Sequence, residues 1–144
     1  MRVLDESQAG LVRSLCELVV PGCERVGAEV YIDAVLARMP EGDRAGIIAC
    51  FTALADCVAG GEEALRERQF TPEFGAVRAM ACEAFYSDFV APGAAGPGAY
   101  EEIDFRFPLA DRIHKDWSYL GVESRMTHAA DLQPRLDAEG RRSA

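Results

Sequence analysis

The residue types that do chemistry at neutral pH are sparse in this chain, and their spacing is unhelpful. The two histidines, His114 and His128, stand in neither H-E-x-x-H nor E-x-x-H spacing, the patterns that put two metal ligands on one helix face. The five cysteines, Cys16, Cys23, Cys50, Cys57 and Cys82, contain no C-x-x-C pair of the redox or zinc kind. Their neighbours are mostly apolar, so they read as buried free thiols, which suits a reducing compartment. Gly93, Gly96 and Gly98 suggest a phosphate cradle at first sight. Pro97 interrupts the run and no helix start is expected after it, so it reads as a chain turn. No G-x-S-x-G nucleophile motif is present. His114-Lys115-Asp116 supplies an acid and a base within three residues. Adjacent side chains on a helix point apart, so the three read as a solvated charge cluster. An independent enzyme would have to build its site from His114, Asp116 and Tyr119.

Aromatic residues give a stronger signal. Tyr100, Phe105, Phe107, Trp117 and Tyr119 fall within one short stretch, with Ile103 and Leu120 beside them. The stretch follows the break Ala91-Pro92-Gly93-Ala94-Ala95-Gly96-Pro97-Gly98. Rings in such number must be covered, by their own domain or by another protein. Trp and Tyr dominate interface hot spots. A docked arm is therefore expected over 99–122. Just ahead of it, Phe85, Tyr86, Asp88 and Phe89 form the end of a helix, where Tyr86, flanked by Glu83 and Asp88, reads either as a ring hydrogen-bonded at the helix terminus or as a polar handle in an interface.

Four amphipathic helices are expected to carry these residues. Asp5 or Ser7 caps the first, which places Leu11, Leu15, Leu18 and Val19 on one stripe and stops at Val20 before Pro21. The second is expected from Glu24 to Met39, with Val26, Val30, Val35 and Leu36 apolar. A third begins near Asp43, carries Ile47, Ile48, Phe51, Leu54, Ala55 and Val58, and is closed by Gly60-Gly61. A short helical piece covers 62–68. Thr71-Pro72-Glu73 starts the fourth: a capping hydroxyl, proline in the first turn, then an acid facing the helix dipole. Phe74, Val77, Ala81, Ala84 and Phe85 follow, and the helix is expected to end near Phe89. Ile103, Phe105 and Phe107 alternate with Asp104 and Arg106, which suggests a short extended segment ended by Pro108. The fold class is all-α: a bundle of about four helices over 1–98, an extended aromatic arm over 99–122, and a polar tail over 123–144.

Bulk properties narrow the partners. At 144 residues one domain is expected, large enough to fold without metal or disulfide staples. The formal charge of −9 disfavours nucleic acid and anionic membranes and favours a partner with a basic surface. The amino terminus turns polar at once, with no signal core or twin-arginine pair, and no run suits a membrane span. A cytoplasmic location is the expectation.

Several segments together carry a resemblance. They are Leu15-Cys16-Glu17-Leu18-Val19-Val20-Pro21-Gly22, Tyr31-Ile32-Asp33-Ala34, Phe70-Thr71-Pro72-Glu73-Phe74, Glu83-Ala84-Phe85-Tyr86-Ser87-Asp88 with Pro92-Gly93, and Lys115-Asp116-Trp117-Ser118-Tyr119-Leu120-Gly121. In this order and spacing, over about 11–122, the chain resembles the gluconate 2-dehydrogenase subunit 3 family. These are small helical subunits of glucose–methanol–choline-type flavin dehydrogenases. The resemblance implies a non-catalytic accessory subunit. FAD, the substrate pocket and the catalytic histidine would belong to a large partner that oxidises a sugar, glycoside or alcohol. The small subunit would support the partner's folding and stability. Many relatives carry a twin-arginine signal, whereas this chain shows none, which points to a complex in the cytoplasm. A regulatory binder without a flavoenzyme mate is the remaining alternative.

Overall fold

The first helix starts where its local chemistry demands. In a computed structural model that describes residues 1–104 and 120–122, Asp5 accepts a hydrogen bond from the Gln8 N–H at 2.8 Å, and the Gln8 side chain accepts from the Asp5 N–H at 3.0 Å. This reciprocal box satisfies donors that a helix leaves orphaned. Helix α1 then runs Glu6–Val19 and ends at Val20, ahead of Pro21. It buries Ala9, Val12, Leu15 and Cys16.

The expected second helix is two. Helix α2 is the single turn Cys23–Val26, and α3 is Ala28–Leu36. Gly27 separates them in the left-handed region, with φ 71° and ψ 49°. The Gly27 N–H still closes α2 on the Glu24 carbonyl at 3.1 Å. Helix α3 is the central element: Ala28, Glu29, Tyr31, Ile32, Asp33, Ala34 and Leu36 are all buried. A helix apolar or paired all round belongs inside a bundle.

The third expected helix also divides. Helix α4 spans Glu41–Ala53 and α5 spans Asp56–Arg68, with an 81° bend between them. The break falls at Leu54 and Ala55, not at the glycines. Gly60-Gly61 lies inside α5, where Gly61 alone leaves helical geometry, with φ 66° and ψ −154°. The expected piece over 62–68 is the second half of this helix. Helix α6, Pro72–Tyr86, starts as read: Thr71 Oγ1 accepts from the Phe74 N–H at 3.2 Å, and Pro72 occupies the first turn. It ends at Tyr86, three residues earlier than expected, with Ser87 as its cap. Helix α7, Ala99–Glu102, begins directly after Gly98. The glycine–proline run therefore does lead into a helix, though one of a single turn. Ile103 closes that turn with φ −96° and ψ 10°, so it does not open an extended segment.

Among the described residues the fold is all-helical, with no strand. Helices α1, α2 and α6 pack on α3, α4 packs on α6 and α1, and α5 packs on α1. Phe51, Leu15, Ile32, Leu36, Leu54, Val12 and Val77 fill the centre. Among the described residues no single helix is long and apolar enough to cross a membrane.

Two buried carboxylates hold the bundle's edge. Asp33 on α3 accepts three backbone N–H groups, from Arg2 at 2.6 Å and from Val3 and Leu4 at 2.9 Å each. The amino-terminal segment is thereby tied across the helices. The Arg2 guanidinium donates in turn to the Leu120 carbonyl at 3.0 Å and to the Gly121 carbonyl. Glu29, one turn before Asp33, receives both Nε and Nη2 of Arg13 through Oε1, at 3.0 and 2.8 Å. That hydrogen bond and the opposite charge push the Arg13 pKa up. Glu29 Oε2 is buried and has no partner among the described residues. Arg13→Ala would strand the whole buried carboxylate. Because Arg13 is itself half exposed, we expect a loss of about 2 kcal/mol, below the full cost of breaking a buried pair. Urea titration of the variant checks this. Glu29→Gln in the same background should recover part of the loss, since an amide is cheaper to bury than a charge.

The cysteines are free thiols, and Cys16, Cys23 and Cys57 are buried. Cys23 donates to the Ala81 carbonyl at 3.7 Å and neighbours Cys16 in the core. The Cys23 thiol, then burial, push the Cys16 pKa far above the ordinary thiol value of 9.0. The folded chain therefore keeps a proton that the unfolded chain gives up above that value. Stability should be unaffected by this thiol below pH 9 and fall above it, by up to about 1.4 kcal/mol per pH unit. Thermal melts between pH 8 and pH 10 measure the slope. Cys16→Ala should lessen it, leaving the part that the buried Cys57 thiol, also pushed up by burial, contributes, and an unchanged slope would refute the assignment.

Candidate docking surface

The end of α6 is built as a corner. Val77, Met80, Ala81, Ala84 and Phe85 face the core, which leaves Tyr86 outward at 57 % exposure. Tyr86 lies edge-on to Phe85, with ring centroids 5.2 Å apart. The Arg25 guanidinium sits 5.5 Å from the centroid of the Phe85 ring, within cation–π range. Arg25 also pairs with Glu102 of α7. Gly22 is needed here, because it is left-handed at φ 104° and a Cβ would meet the Phe85 ring at 3.0 Å.

Beyond Ser87 the chain turns sharply. Asp88 takes φ 62°, a conformation that Asp tolerates better than most residues. Its buried Oδ1 accepts from the Tyr100 N–H at 3.1 Å. Gly98 permits this approach, since a Cβ there would lie 2.4 Å from Asp88 Oδ1. The intervening chain is fastened to α2: the Ala91 N–H donates to the Val26 carbonyl at 2.9 Å, and the Gly96 N–H to the Arg25 carbonyl at 2.8 Å. On the inner side, the Tyr31 hydroxyl donates to Glu83 Oε1 at 3.0 Å, and the Tyr31 ring tilts against Phe89 at 5.4 Å. Helix α7 is thus bolted to α6 and α2, and Ile103 at its end is 69 % exposed.

The expected contact residues divide accordingly. Tyr86 and Ile103 are on the surface, and Tyr100 is half-buried. Phe85, Asp88, Phe89 and Leu120 are buried within this chain in this conformation: the first three shape the corner, and Leu120 is held by Arg2 at the amino-terminal segment. Phe105, Phe107, Trp117 and Tyr119 lie outside the described residues, as do His114 and Asp116 of the alternative site and the tail over 123–144. The sequence reading missed Arg25, Glu102, Gly22 and Gly98. Their pairings cross 77 positions in the case of Arg25 and Glu102, and nothing in local periodicity marks them.

An open cleft of about 360 Å³ is lined by Arg13, Ser14, Glu17, Leu18, Glu24 and Val58. Two of its charged groups are engaged in structure: Arg13 with Glu29, and Glu17 as acceptor for the Gly22 and Glu24 N–H groups. Among the described residues no three His, Cys, Asp or Glu side chains are placed to hold a metal ion. No family model, curated protein or solved structure matches the chain.

Proposed function

We propose that this chain is the small, non-catalytic subunit of an FAD-dependent sugar, glycoside or alcohol oxidoreductase. It would dock through the α6–α7 corner and stabilise the catalytic flavoprotein during maturation, in the cytoplasm. FAD would reside in that partner. One observation carries the reading. Glu83-Ala84-Phe85-Tyr86-Ser87-Asp88, a segment on which the resemblance rests, is also the segment that builds the corner and leaves Tyr86 outward. Tyr86 and Ile103 supply apolar area at the two exposed points of one braced unit. A large side chain that becomes well buried on docking gains on the order of 1.5–3 kcal/mol, less the cost of ordering it.

The test is co-expression with a glucose–methanol–choline-type flavoprotein encoded beside this chain in the host. The wild-type pair should copurify and show the visible absorbance of bound flavin. Tyr86→Asp combined with Ile103→Asp should lower the copurified flavoprotein by about tenfold or more. Both side chains are exposed, so the isolated variant should melt as the wild type does. Undiminished copurification would remove the corner from the proposal. A wild-type chain that binds no flavoprotein would remove the proposal itself.

A further inference from the structure

We draw no further inference here: the strongest candidate, the outer face of α6, where Gly75, Ala79 and Tyr86 are exposed and Phe70 stands 92 % exposed just before the helix begins, carries nothing beyond the docking role already proposed, because nothing in the structure shows what covers it.

Discussion

Asp33→Ala is expected to cost about 3–5 kcal/mol and to free the amino-terminal segment from the bundle. The carboxylate is buried and accepts the N–H groups of Arg2, Val3 and Leu4. Hydrogen bonds to a charged acceptor contribute roughly 1.5–3 kcal/mol each, and buried donors left without an acceptor add a further cost. Water can reach the Arg2 end after the change, which keeps the total below the sum of three such bonds. Leu4 is buried beside this site, so its packing goes with the hydrogen bonds. Chemical denaturation gives the magnitude. Hydrogen exchange at Val3 and Leu4 gives the location, and both amides should lose protection in the variant. Asp33→Asn should be milder, because one amide oxygen keeps some of the acceptor capacity. A loss under about 1 kcal/mol for the alanine variant would mean that the segment is held by packing alone.

Gly27→Ala is the second large effect, expected at about 3 kcal/mol or more. Two costs coincide. The left-handed backbone costs an L-residue roughly 1–2 kcal/mol. The new Cβ would also lie 2.6 Å from Ala91 Cβ, closer than such atoms approach. Ala91 cannot retreat freely, since its N–H is bonded to the Val26 carbonyl, the residue before Gly27. Relief therefore requires parting α2 from the chain that returns after α6. Gly46 is the control. It sits within α4 with nothing within 4 Å of a Cβ, so Gly46→Ala should stabilise by about 0.5–1 kcal/mol. Equal effects at the two positions, read from thermal melts, would show that the left-handed joint and the Ala91 contact are unimportant.

The parts of the fold that rest on neighbouring residues could be read from the sequence. Asp5, read with Ser7 as a possible cap, and Thr71 with Pro72 announce helix starts because capping is completed within four residues. The split at Gly27 left no such mark: one left-handed residue hardly disturbs the apolar spacing, so Val26, Val30 and Leu36 still scan as one stripe. The bend at Leu54–Ala55 involves neither glycine nor proline. The apolar run Phe51, Leu54, Ala55 and Val58 crosses it without interruption. The glycine pair at 60 and 61 signals a stop, but only Gly61 leaves helical geometry and α5 continues.

The surface was legible to a similar degree. Tyr86 stands out as a ring beside acids at a helix end, and it is exposed. Phe89 looks like its neighbour in the same patch, yet the left-handed turn at Asp88 sends it inward against Tyr31. That turn depends on Tyr100 and Gly98, ten or more positions later, so the helix pattern alone could not give it.

The bond from Arg2 to the carbonyls of Leu120 and Gly121 has a consequence for biosynthesis. A chain made from its amino end offers Asp33 to residues 2–4 early, and that tether closes while most of the polypeptide is still unmade. The guanidinium must wait for acceptors 118 and 119 positions downstream. Contacts so remote in sequence close late. The helices described over residues 1–104 are thus assembled before this last fastening snaps shut, and a nascent chain halted short of Leu120 would emerge with those helices packed but unlatched.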